Sequence, residues 1–158
     1  MTPTPTLTGR DIGEAENAIR ALLDRLLEEA SVSFPEWTVL FTLDGAGPVP
    51  RGELVRRQAH GLKVPEAAAM ATVDGLRSSG LLTPIDQAQG AGGPSGGGED
   101  PRLTLTAAGE AVFRPIRRAV FQISDELYGD LPPADAEATR RTLAEVTRRA
   151  NALLAAGG

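Results

Sequence analysis

The feature that most limits how this chain folds is a change of period near its middle. From Pro50 to Gly80, "PRGELVRRQAHGLKVPEAAAMATVDGLRSSG" carries two stretches of helical spacing. Leu54, Val55 and Ala59 line the first; Ala69, Val73 and Leu76, with Met70 beside them, line the second. Apolar residues at three- and four-residue steps mark helix faces turned toward a core. Gly61 is expected to end the first helix, Val64 and Pro65 to open the second, and Gly80 to cap it. The period then drops to two: "LLTPID" from Leu81 reads as a short strand and "RLTLT" from Arg102 as another. Two packed helices with a strand pair behind them make a winged helix-turn-helix. On spacing alone, a helical-bundle fragment carrying a hairpin fits too.

Between the two strands lies "GAGGPSGGG" from Gly90. A phosphate-binding loop needs a strand before its glycines, then Gly-Lys-Ser/Thr, then a helix. Here the glycines run into "EDPR" and a strand, no lysine is near, and Glu99 and Asp100 repel phosphate. A domain linker fails as well, because the flanking strands need each other. The stretch is read as the overlong loop of a hairpin, spanning 88–101, with a mobile tip.

The remaining chain supplies long helices. Pro and Thr alternate over residues 1–7, which reads as disorder. From about Thr8, Ile12, Ala15, Ile19, Leu22, Leu23, Leu26 and Leu27 form one amphipathic stripe. Pro35 suits the first turn of a second helix, whose apolar face holds Trp37, Leu40 and Phe41. "DGAGPVP" from Asp44 reads as a turn. Thr106 is placed to cap a helix with Val112, Ile116, Val120, Ile123 and Leu127 in line. "YGDLPPAD" breaks that helix, and Leu143, Val146, Ala150 and Leu153 mark a last one. The fold class is therefore mainly α with a small β-hairpin wing: a winged helix-turn-helix plus a helical dimerisation layer. One domain over 8–158 is expected, with a lobe at 35–106 and dimerisation helices at 8–30 and 107–156.

Composition excludes several function classes. The 158-residue chain is long enough for one real core. It has no cysteine, which removes disulfides and thiolate metal sites, and His60 is its only histidine. Its paired carboxylates read as solvated, and no nucleophile can be placed beside a base, so an enzyme is not supported. No apolar run spans a membrane, and the N-terminus lacks a signal peptide's basic start and apolar centre, so the cytoplasm is expected. Net charge is −5, unlike a general nucleic-acid binder. The charge is uneven, however. Arg51, Arg56, Arg57, Lys63 and Arg77 face only Glu53, Glu66 and Asp74 over residues 48–80.

The segment "VDGLRSSGLL" followed by "RLTLTAAGEAVF" resembles the MarR family of winged-helix regulators. The matching positions are Leu76, Gly80 and Leu81 at the end of the recognition helix. Leu105, Thr106 and Gly109 match where the wing returns into the fifth helix. Helix order is similar over about residues 8–156. The resemblance implies a homodimer on a pseudo-palindromic double-stranded DNA operator, usually repressing nearby genes. It also implies release from DNA by a small, often phenolic, ligand between dimer layer and lobe; no cofactor is implied.

Two places depart from the family pattern. The recognition helix carries "EAAAMAT" where Ser, Thr and Arg are usual, so its base-reading candidates reduce to Met70 and Thr72. Alanine offers only methyl contact to base edges. The wing keeps Asp100 and Arg102 at the family's Asp-x-Arg spacing, but behind a far longer loop. Arg102 is placed either in the minor groove or in a salt bridge at the strand start. Arg51, Arg56, Arg57, Lys63 and Arg77 are candidates for phosphate contacts, or else a solvated face. Arg20, Phe34, Trp37 and Phe41 are candidates for lining the effector cleft, for a small aromatic or acidic molecule; the alternative is core aromatics and a surface arginine. The arginine pairs of the late helices read as surface ion pairs.

Overall fold

The computed structural model describes residues 6–85 and 100–157. The glycine tract and the first five residues, and with them the expectations of a mobile wing tip and a disordered start, lie outside those residues. By internal packing the chain divides into two compact units, Met1–Ala119 and Val120–Gly158.

In the first unit, α1 spans Gly9–Glu29 and α2 Phe34–Ala46. Each starts at a reciprocal cap that satisfies otherwise orphaned N–H groups. Thr8 N–H donates to Asp11 Oδ2 at 2.8 Å, and Asp11 N–H donates back to the Thr8 hydroxyl. Ser33 and Glu36 repeat the device, with Ser33 N–H donating to Glu36 Oε2 at 2.8 Å. The Thr8 carboxylate partner, Asp11, is held below the usual carboxylate range, chiefly by the hydrogen bond from the Thr8 side chain.

The helix-turn-helix is α3 (Arg51–Leu62) and α4 (Glu66–Ser78). Gly61 does not end α3; the helix continues through it to Lys63, which takes the left-handed cap at φ 56°. Gly80, at φ 75°, turns the chain out of α4 as expected, in a conformation that favours glycine.

The "DGAGPVP" stretch is not only a turn: Asp44, Gly45 and Ala46 are the last residues of α2. It holds β1 (Val49–Pro50), which joins β2 (Leu82–Ile85) and β3 (Arg102–Leu105) in an antiparallel sheet ordered β1-β3-β2. Val49 faces Leu103, and Leu82 faces Leu105. A strand of two residues leaves no period to read, and Pro50 is tolerated because β1 is an edge.

Thr106 closes the wing onto α5 (Ala107–Tyr128). Its hydroxyl accepts from Gly109 N–H at 3.0 Å and donates to the Gly80 carbonyl at 2.7 Å. A Cβ on Gly109 would stand 2.2 Å from the Leu81 carbonyl oxygen, so only glycine lets the first turn of α5 approach the start of β2.

The core is built by Leu27, Val39, Leu40, Leu43, Val49, Leu54, Val55, Ala69, Val73, Leu76, Leu82, Leu103, Phe113 and Ile116. The inner stripes expected for α3 and α4 are therefore buried, except half-buried Ala59. The α1 stripe is buried only at Leu27, while Ile19 and Leu22 remain exposed.

The second unit contains the end of α5 and α6 (Pro133–Ala156). None of the residues of α6 is buried. Ion pairs follow its exposed face: Arg140 and Arg141 share Glu137, while Arg148 and Arg149 share Glu145. The Glu145 carboxyl is lowered to about 2, first by the hydrogen bond from Arg148 and then by that from Arg149. Among the described residues, no helix is long and apolar enough to cross a membrane.

Candidate nucleic-acid interface

The solvent face of α4 is set by its inner one. With Ala69, Val73 and Leu76 buried, helical geometry turns Glu66, Ala67, Ala68, Met70 and Ala71 outward, and all five are exposed. Met70 is thus on the solvent face of the helix. The Thr72 hydroxyl donates to the Ala68 carbonyl of its own helix at 3.2 Å, which occupies its proton.

The cationic candidates separate into engaged and unengaged groups. Arg51 is held by Asp74 through a two-pronged pair, Nε to Oδ1 at 3.0 Å and Nη2 to Oδ2 at 2.7 Å. Its side chain is 24% exposed. Asp74 is held below the ordinary carboxylate range, chiefly by the Arg51 hydrogen bond, with the charge of Arg77 adding to it. Arg57 pairs with Glu53 one turn away on α3. Arg56, Lys63 and Arg77 form no ion pair among the described residues. Arg77 also borders an open cleft of about 650 Å³ with Arg51, Asp74, Ser78 and Thr83, between the end of α4 and β2.

The salt bridge expected as one placement for Arg102 does not form among the described residues. Its Nη2 donates to the Pro48 carbonyl at 2.6 Å, an uncharged partner in the α2–α3 connection. The carbonyl became available because β1 pairs with β3, a contact invisible in the sequence. Asp100 accepts from Gly52 N–H at the first turn of α3, where an anion is favoured. Between them, the Pro101 carbonyl accepts from Arg51 N–H at 2.9 Å. Sequence reasoning named Asp100 for its spacing to Arg102 and missed this capping role, because the two segments are 48 residues apart.

The four candidates for an effector cleft do come together. The Arg20 guanidinium carbon lies 3.4 Å from the centroid of the Phe34 ring. Trp37 packs at 5.5 Å against both Phe34 and Phe41, ring centre to ring centre. Phe41 is exposed. Arg20 also pairs with Asp24 at 3.1 Å and Glu16 at 3.8 Å. The Trp37 indole Nε1 is buried and has no hydrogen-bond partner among the described residues.

No family model matches the chain, and no curated protein matches its sequence. Solved structures do. A MarR-family transcriptional regulator from Silicibacter pomeroyi superposes with a TM-score of 0.68 at 17% identity, over 90% of this chain and 88% of that one. NadR in complex with 4-hydroxyphenylacetate gives 0.67 at 20% identity, over 92% and 97%. BpsR of Bordetella bronchiseptica, whose DNA binding is regulated by 6-hydroxynicotinic acid, gives 0.65 at 20%, over 92% and 97%. The chain has the MarR-family winged-helix fold. Within that fold β2 and β3 form the wing, and the motif at Leu105, Thr106 and Gly109 is the joint that lets α5 start against β2.

Proposed function

We propose that the protein is a cytoplasmic, homodimeric, DNA-binding transcriptional regulator rather than an enzyme, and that it represses nearby genes until a small effector binds. The observation that carries this reading is the exposed α4 beside the wing base, in a fold shared with MarR-family regulators over about nine-tenths of the chain. Arg56, Lys63 and Arg77 supply unengaged positive charge for the phosphates of a pseudo-palindromic duplex. Dimerisation is supported by the large apolar side chains left exposed on α5 and α6, among them Phe121, Leu143, Val146 and Leu153. The effector reading rests on Arg20, Phe34, Trp37 and Phe41. A flat, acidic molecule would stack on exposed Phe41 and compete with Asp24 for Arg20.

A second reading draws on α4 itself. Its outer face offers methyl groups and a thioether but few hydrogen-bonding groups, which favours a MarR-like dimer that has lost operator reading and binds a ligand or protein. A gel shift on the DNA upstream of the protein's own gene, over a salt series, decides between them. The regulator reading expects specific binding whose affinity falls steeply with salt. The absence of any shift at low salt and micromolar protein overturns it in favour of the second.

A further inference from the structure

Resting on the DNA-binding reading, we propose that Arg51 is a positioning residue that ties the wing to the recognition helix, and that it does not contact DNA phosphate. Arg51 is the first residue of α3, and three elements meet on it. Its guanidinium forks onto Asp74, in the middle of α4. Its backbone N–H donates to the Pro101 carbonyl, at the foot of the wing's return strand. The next N–H, of Gly52, is capped by Asp100 from the same wing foot. Asp100 also reinforces the charge of Arg51, after the larger contribution of Asp74.

With Nε and Nη2 both on Asp74, the fork that would grip a phosphate is already occupied. The same arrangement fixes α4 against α3, and the wing foot against α3, through a single residue. Recognition by a winged helix requires α4 and the wing to meet neighbouring grooves together, so their relative placement is itself part of affinity. A planar fork on a carboxylate sets direction as well as distance, which a lysine at this position cannot do.

The test uses the full-length protein and a labelled duplex that it shifts, with binding followed by fluorescence anisotropy across a potassium chloride series. Arg51→Ala and Asp74→Asn are each expected to weaken binding about two- to fivefold at every salt concentration, the worth of one such pair. The double variant should be no weaker than the worse single one, since both break the same contact. The slope of log affinity against log salt should stay that of the parent. A direct phosphate contact makes opposite demands: Arg51→Ala would flatten the slope by about 0.9, and Asp74→Asn, by removing an acid, would tighten binding. Either result overturns the proposal. If Arg51→Ala melts early by circular dichroism, Arg51→Lys takes its place, keeping the charge but losing the fork. Weakened binding at unchanged slope supports the positioning role, and parental affinity overturns it. A parent protein that binds no duplex defeats the DNA-binding reading itself, and this inference with it.

Discussion

Phe113 and Phe121 stand eight residues apart on the same helix and live in different worlds. Phe113 is 2% exposed, inside the first unit; Phe121 is 74% exposed, in the second. The contrast extends beyond the pair. Every buried apolar residue among those described lies at or before Ile116, whereas α6 buries nothing along its whole length. Yet α6 carries Leu143, Val146, Ala150 and Leu153 at the same helical spacing that is buried on α4. A periodic stripe states that a face needs cover; it does not state what covers it. In the first unit the cover comes from the same chain. In the second it is proposed to come from another copy.

The largest expected effect lies on the buried side of that contrast. Phe113→Ala should lower unfolding free energy by about 3–5 kcal/mol, seen as a large drop in the denaturant midpoint. Phe121→Ala should leave that midpoint nearly unchanged at protein concentrations where light scattering reports a monomer. In the dimer range it should instead raise the dissociation constant. Equal losses for both substitutions would erase the distinction between the two halves of α5.

A smaller effect sharpens where the first unit ends its wing. Gly109→Ala adds one methyl that would stand 2.2 Å from a backbone carbonyl. Backbone yields less easily than a side chain, so a loss of about 1–3 kcal/mol is expected by thermal melting. Gly13→Ala, with open space around its α-carbon, is the control that should show no such loss.

The smallest effect belongs to the surface of the second unit. The Glu145 carboxyl is lowered to about 2 by its arginines, so its folded-state value lies below its unfolded one. Whatever stability it adds is present above the unfolded value, near 4.5, and is lost as pH falls toward 2. Its side chain is 42% exposed to solvent, so salt screens it. Glu145→Gln should therefore change the melting temperature only slightly at neutral pH and low salt, and not at all near pH 2 or in high salt. A shift that survives high salt would mean that Glu145 is shielded from solvent in the folded protein.

Much of the helix-turn-helix was legible in the sequence, and the reason is local. The inner faces of α3 and α4, the cap at Thr106 and the turn at Gly80 depend on residues within one or two helical turns of each other. The candidate interface was legible in part. The exposed face of α4 follows directly from its buried face. The partners of Arg51 and Arg102 do not, because Asp74 is 23 residues from the first and Pro48 is 54 residues from the second. The left-handed cap at Lys63 also escaped reading, since glycine is the expected residue for that conformation and Gly61 stood two residues earlier.

By itself, then, the sequence determined which segments are helices, where a two-residue period replaces the helical one, and that glycine must open the turn after α4. These follow from backbone sterics and from apolar spacing along a single element. Only the tertiary structure decided that a two-residue strand at Val49–Pro50 completes the sheet, that Asp100 caps α3, and that the α1 stripe is buried solely at Leu27. Those outcomes depend on which distant groups arrive at the same place, and the energy of a contact carries no trace in the spacing of either partner.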